Sequence, residues 1–479
     1  LRYNLAIFRI LRGGNQLKYL GNRVEDIKIA YIGGGSRGWA WKLMADLALE
    51  PDLAGKVDLY DIDFEAAYDN EIIGNRISAK PEAKGKWEYR AVRTLEEAMG
   101  GADFIVISIQ PGAFKEMASD VHLPEDYGIY QSVGDTVGPG GLVRALRTIP
   151  IYRELALKIK KYAPEAWVIN YTNPMSLCTR TLYHVFPEIK AFGCCHEVFN
   201  TQEVLIEMLE TKLGIKGVSR DEIRVNVLGI NHFTWFDSAS YHGMDLFPIY
   251  REYVDENYES GIEGAGEKNW RNDIFSSAQR VKFDLFKRYG LIAAAGDRHL
   301  AEFLPGIWYL KDPETVESWK FRLTTVDERI RRQEERELQR KRMISGEQEA
   351  DLDASGEEGV RQIKALLGLG DLVTNVNLPN CGQMAEMPLD VIVETNALFT
   401  RDRIQPILAG KLTPEVQHLV IRHVLNQETI LKAALAKDKE MAFRAFINDP
   451  LVTITIEDAR KLFEKMLFNT RQYLSGWLL

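Results

Sequence analysis

From Ile27 onward, short apolar runs alternate with amphipathic stretches. The runs IKIAYIG (27–33), KVDLYDI (56–62), DFIVISI (103–109) and AWVINYT (166–172) are short and bounded by turn-forming residues, which predicts strands. Helical periodicity fills the gaps, most clearly in RGWAWKLMADLALE and LVRALRTIPIYRELALKIKKYA. Strand and helix in alternation predict a parallel sheet wrapped on both faces. This gives a Rossmann-like α/β domain over residues 27–198, behind an extension of residues 1–26. The rhythm then changes. DEIRVNVLGINHFTWFDSASY (221–241) reads as paired strands, and long helical patterns dominate beyond about residue 270. Residues 199–479 are expected to form a mixed α+β, largely helical second domain for substrate, metal and oligomer contacts. Dense mixed charge in VDERIRRQEERELQRKRMISGEQEADLDASGEEG predicts a solvated helix followed by a mobile loop.

Composition narrows the function classes. A chain of 479 residues supports two or three domains, and a net charge of −9 argues against a broad nucleic-acid-binding face. A small acidic ligand stays allowed, because one or two buried arginines bind a carboxylate locally. The four cysteines include the adjacent pair Cys194 and Cys195 and show no disulfide framework, which points to free thiols in a reducing cytoplasm. No apolar run approaches the roughly eighteen residues of a membrane span. YNLAIF is cut off by Arg9 and makes no signal peptide.

Gly33, Gly35 and Gly38 form G-x-G-x-x-G between a strand and a helix. The first permits a tight turn, the second lets a pyrophosphate approach the backbone, and the third lets the helix pack on the strand. Asp61 ends the following strand, where its carboxylate would accept from a ribose diol and favour NAD over NADP; Asp63 is the runner-up.

Cys195 and His232 each follow an apolar run and together suit a catalytic divalent ion with open positions; singly, each also fits a core residue. Asp297, in AAAGDRHLAEFLP, reads equally as a base entering a pocket and as a helix cap. Asn173 lies where ligands collect at a sheet's carboxyl edge, but also before Pro174, where a turn residue is ordinary. SVGDTVGPGG (132–141) is too glycine-rich for a helix and reads as a substrate or cofactor loop.

Taken in order, IAYIGGGSRGW, LYDID, NYTNPMS, GCCHEVF, GINHFTWF and GDRHLAEFLP resemble glycoside hydrolase family 4, the NAD- and divalent-metal-dependent glycosidases on a lactate/malate-dehydrogenase-like fold. The tetrad Cys195, His196, Glu197 and Val198, with GDTVGPGG and LLGLGDLVTNVNLPN, looks most like the α-galacturonidase branch. The resemblance implies Mn²⁺, or a similar ion, on Cys195 and His232, sugar hydroxyls on Asn173, Asp297 as base and His196 as leaving-group acid. It implies dimers or tetramers. It disfavours a 6-phospho-sugar, because His196 stands where phospho-glycosidases carry Asn or Asp. The implied chemistry departs from the two-carboxylate glycosidase scheme. Oxidation at C3 by NAD⁺ acidifies C2–H; deprotonation, 1,2-elimination, water addition at C1 and re-reduction follow. A uronide needs a cation for its C5 carboxylate, and Arg144 and Arg298 are the candidates, with Glu197 as a hydrogen-bond orienter. An α-glucuronidase, a neutral α-galactosidase or α-glucosidase, and an NAD-dependent hydroxyacid or sugar dehydrogenase are the alternatives.

Overall fold

The computed structural model describes residues 7–12, 15–262 and 269–477. The apolar runs of the first half become parallel strands in the spatial order Lys86–Val92, Leu53–Tyr60, Arg23–Ile32, Phe104–Ile107, Trp167–Asn170 and Lys190–Gly193. Side chains alternate between the two faces. Ile29, Tyr31, Phe104, Val106 and Ile169 pack with Leu47, Ile73 and Ile77 of helices Trp39–Leu49 and Phe64–Ser78. Ala30, Ile32, Ile105, Ile107 and Val168 pack on the other side with Tyr152, Ile159 and Leu182 of helices Gly138–Tyr162 and Met175–Val185. Burial on both faces is why these runs are almost continuously apolar. Each large side chain so buried contributes about 1.5–3 kcal/mol.

The sheet carries further strands at two places, the start of the interior strand Arg23–Ile32 and the Lys190–Gly193 edge. Ile7–Arg12 and Asn15–Leu20 pair antiparallel ahead of Arg23–Ile32, so the described part of the 1–26 extension is sheet; residues 1–6 and 13–14 lie outside the described residues. At the Lys190–Gly193 edge Leu372–Pro379, Ile392–Thr400 and Arg403–Pro406 join through Asn377 opposite Gly193. These strands carry buried polar residues, Asn375, Asn377 and Glu394, which break the apolar signature of a core strand.

The stretch 221–241 is the expected strand pair, Ile223–Ile230 against Phe233–Tyr241, with His232 in the turn at φ 65°. Asn396 Nδ2 donates to the Val225 carbonyl at 2.7 Å, and Asn226 Nδ2 to that of Ala409 at 2.8 Å, so this second sheet is fixed to the first. The charged segment is the helix Val326–Ser345, but the chain beyond it is not a loose loop. Lys80 donates to the Ala350 carbonyl at 2.6 Å, Ser355 binds Asp46, and Glu358 pairs with Arg220. Some of its polar residues answer polar groups of other elements, while Asp351 and Asp353 stay exposed. In SVGDTVGPGG the last four residues, Gly138–Gly141, are helical after all. They open the helix Gly138–Tyr162, where Pro139 has no amide to lose, and a Cβ on Gly141 would stand 2.4 Å from the Thr136 carbonyl carbon. Among the described residues no helix is long and apolar enough to cross a membrane.

Candidate active site

The glycine turn follows Arg23–Ile32 directly. Gly33 sits at φ 97°, and a Cβ there would stand 2.0 Å from the Ser108 carbonyl oxygen. Gly38, at φ 130°, precedes the helix Trp39–Leu49. Asn70, fully buried, donates to the carbonyls of Gly34 at 2.7 Å and Ser36 at 3.1 Å and accepts from Trp41 at 2.8 Å, so one amide fixes the turn. Asp61 lies just beyond Leu53–Tyr60 and accepts from the Gly35 amide at 2.9 Å. Asp63 instead caps the helix Phe64–Ser78 by accepting from the Ala66 amide. A carboxylate beside a glycine turn at a helix N-terminus fits a dinucleotide.

The carboxyl ends of Trp167–Asn170 and Lys190–Gly193 bring Asn173 and Cys195 together with the 231–232 turn and the 132–136 loop. Asn173 follows the strand through a cis peptide to Pro174, and its Nδ2 donates to Asp135 at 3.3 Å. Thr136 Oγ1 donates to Asp135 at 2.7 Å and lies 3.0 Å from His232 Nδ1. The rings of His232 and His299 stack with centroids 3.8 Å apart. Ligand atoms of Asp135, His232 and His299 all lie within 4.8 Å of one another, the spacing of a metal seat. Burial depresses both imidazoles, His299 to about 3, so both are neutral, the form that ligates. Burial works against the Asp135 carboxylate, but the charges of His232 and His299 when protonated, and of Arg144, more than offset it and lower its carboxyl. His299 Nδ1 and Asn173 Oδ1 are buried with no partner among the described residues. Two imidazoles and a carboxylate suit a divalent first-row ion.

The Cys195 thiol lies against Asn231, the neighbour of His232; burial first, then Glu394 and Glu197, raise it well above its ordinary value. Glu394 in turn accepts from Asn375 at 2.7 Å and Asn231 at 3.3 Å. His196 stands between two carboxylates, with Nδ1 3.2 Å from Glu357 and Nε2 4.0 Å from Glu197. Glu197 accepts from the Gly296 amide at 2.7 Å and lies 3.7 Å from His299. Burial alone would raise the Glu197 carboxyl, but His299, His196 and His232 pull it down to about 2.

Asp297 is fully buried and accepts from the amides of Val281 at 3.3 Å and Lys282 at 3.1 Å, capping the helix Arg280–Tyr289. Burial pushes its carboxyl up to about 6, against the pull of Lys282 and these amides. Arg144 Nε donates to the Asn173 carbonyl at 3.2 Å. Arg298 donates to Thr324 at 2.6 Å and lies over the exposed Phe275 ring.

Glu302 holds the 132–136 loop, one oxygen accepting from the amides of Val133 at 2.7 Å and Gly134 at 2.8 Å while the other has no partner among the described residues. Burial pushes this carboxyl up to about 8. Glu302→Gln copies the protonated acid and keeps both amide bonds. The wild-type contribution is complete below the unfolded value of about 4.3 and is lost as pH rises through about 8. Glu302→Gln is therefore expected to be about as stable as the wild type at pH 5 and increasingly more stable toward pH 8, by about 2 kcal/mol or more. Thermal melts across that range read the divergence, and parallel curves would show the carboxyl already ionised.

Asp135, His299, Glu302, Glu357 and Glu394 were not among the residues expected from sequence. Asp135 and His299 lie inside quoted motifs, SVGDTVGPGG and GDRHLAEFLP, but pairing them takes tertiary contact across 164 residues of chain.

The chain matches the models of the family 4 glycosyl hydrolases over residues 28–211 and of their C-terminal domain over 227–452. It is 62% identical to an alpha-galacturonidase of Thermoanaerobacterium saccharolyticum, over 96% of this chain and 99% of that protein. The crystal structure of a Bacillus subtilis protein described as a glucosidase superposes with TM-score 0.89 at 57% identity, covering 92% of this chain and all of the other. A 6-phospho-alpha-glucosidase from gut microorganisms, solved with NAD and Mn²⁺, shares the fold at 20% identity, with TM-score 0.79 over 94% of this chain and 99% of that one. The chain belongs to family 4 of the glycosyl hydrolases.

Proposed function

We propose that the protein is an α-galacturonidase that hydrolyses α-linked galacturonic acid in short oligouronides. NAD seats on the glycine turn, and Mn²⁺ or a similar ion on His232 with Asp135, His299 and Cys195. One observation carries the reading: a glycine turn and a two-imidazole, one-carboxylate cluster both lie at the carboxyl-end side of one parallel sheet. The high identity to an alpha-galacturonidase supports the uronide.

Bound there, the dinucleotide would supply a hydride acceptor for C3 and the ion a Lewis acid for the sugar oxygens. The protein's residues do the rest. Asp61 accepts from the ribose hydroxyls, and Ile62, 95% exposed, offers the adenine an apolar face. Asn173 holds sugar hydroxyls with its unpartnered Oδ1. Asp297 takes the C2 proton; with its carboxyl at about 6 it is mostly ionised at neutral pH yet basic enough to accept one. His196 protonates the leaving oxygen, held in place by Glu357, and Glu197 orients His196 and His299.

Arg144 and Arg298 meet the C5 carboxylate, where a guanidinium binds both oxygens. Arg298→Ala is expected to raise KM for a nitrophenyl galacturonide at least tenfold more than for the neutral galactoside; equal changes would remove it from the carboxylate. Solvent deuterium at C2 of the released sugar tests the reaction itself. Its absence would sink the elimination route, and reduced NAD accumulating with product would mark a dehydrogenase instead. The free cysteines fit a reducing cytoplasm. A homodimer or homotetramer would cover the exposed Leu389, Leu408, Leu425 and Phe468.

A further inference from the structure

The helix Val326–Ser345 carries Arg332, Arg336 and Arg340 at i, i+4 spacing, so three guanidinium groups share one face. Like charges at that spacing weaken a helix unless acids answer them. Arg332 is answered by Asp273 at 2.7 Å and Glu328 at 3.3 Å, and Arg340 by Asp69 and Glu337. Among the described residues no carboxylate stands within ion-pair distance of Arg336. Its guanidinium reaches the glycine turn instead. A Cβ on Gly38 would stand 3.1 Å from Nη1 and 3.2 Å from Cζ. The next residue, Glu337, pairs with Arg37 at 2.7 Å, so turn and helix are held face to face. Arg336 also lines an open cavity of about 520 Å³ together with Asn272, Asp273, Arg331, Arg332, Glu335 and Gln339.

We infer that Arg336 is a cofactor-binding residue, supplied by the C-terminal half of the chain, that binds the pyrophosphate of the dinucleotide on the Gly33–Gly38 turn. The inference rests on the dinucleotide reading of that turn. A glycine turn and a helix N-terminus offer an anion only neutral amides and a partial charge. A guanidinium adds a full charge and a planar pair of donors that match phosphate oxygens. At Gly38 the missing side chain leaves the guanidinium room to approach the turn. The same helix reaches the metal side through Arg329, whose Nη2 donates to the Val133 carbonyl at 3.0 Å. One helix thus touches both the cofactor turn and the loop that carries Asp135.

The test is calorimetric titration of the full-length protein with NAD and with ADP-ribose, and separately with Mn²⁺. Arg336→Gln is expected to weaken NAD and ADP-ribose about ten- to hundredfold, as the loss of a charge-assisted bond implies, and to leave Mn²⁺ binding unchanged. Arg342→Gln, exposed near the end of the same helix and outside that cavity, is expected to leave all three unchanged. An Arg336→Gln protein that binds NAD like the wild type would overturn the inference while leaving the dinucleotide site intact. Equal weakening of NAD and Mn²⁺ would overturn it too, by showing a general disturbance. A wild-type protein that binds no NAD would overturn the dinucleotide reading itself.

Discussion

His232→Ala is expected to lower kcat/KM for a galacturonide about 10³-fold and to weaken Mn²⁺ binding, with His299→Ala following it closely. A Lewis acid beside developing negative charge contributes several kcal/mol, and each 1.4 kcal/mol is tenfold in rate. The geometry adds a sharper point. His232 and His299 stack at 3.8 Å and share the Asp135 carboxylate. Two neutral imidazoles this close place two lone-pair donors over a small volume, which water alone gives no reason to assemble. If Cys195 and His232 were the whole protein ligand set, His299→Ala would leave Mn²⁺ affinity near wild type. If Asp135, His232 and His299 form the seat and Cys195 only joins it, Cys195→Ser would cost less than either histidine. A raised thiol supports the second order of effects, because the metal must first take a proton from Cys195. Equilibrium dialysis of Mn²⁺ against the three variants separates the two sets, and unaltered affinity in His232→Ala would remove the metal from this cleft.

How much of the fold and the site is legible in sequence depends on the range of the forces. The strand–turn–helix around Gly33 is local: period, glycines and Asp61 lie within 35 residues, and all are where the pattern put them. The paired strands at 221–241 are legible for the same reason. The strands from 372 to 406 are not, because Asn375, Asn377 and Glu394 are buried among them in a polar network behind Cys195. A rule that reads buried as apolar misses such a strand. The segment after Ser345 defeats the same rule inverted, since the largely buried side chains of Glu358 and Glu357 are partners for Arg220 and His196 rather than solvated charges. Site residues split along this line. Cys195, His196 and His232 stand out by chemical type, whereas Asp135 and Glu357 are ordinary acids until the fold brings a histidine to each.

Asp297→Asn is expected to lower kcat by about 10²–10⁴, the usual contribution of a general base, and to abolish solvent deuterium uptake at C2. The substitution separates two roles, the cap that the hydrogen bonds show and the base proposed above. As a cap, its oxygens accept from the Val281 and Lys282 amides at the start of Arg280–Tyr289. Asparagine caps helices about as well as aspartate, so the helix end survives with one amide bond lost. That bond and the unbalanced Lys282 charge, with its amine already held down to about 8 by burial, would lower Tm by several degrees. As a base, by contrast, asparagine has no proton affinity to offer, and its rate loss has nothing to do with Tm. A folded variant with a modestly lower Tm and a thousandfold lower kcat places the C2 proton on Asp297. The same Tm with kcat within threefold of wild type would confine Asp297 to the cap and send the search for the base to the other buried groups of the cleft, His299 and Glu197 first.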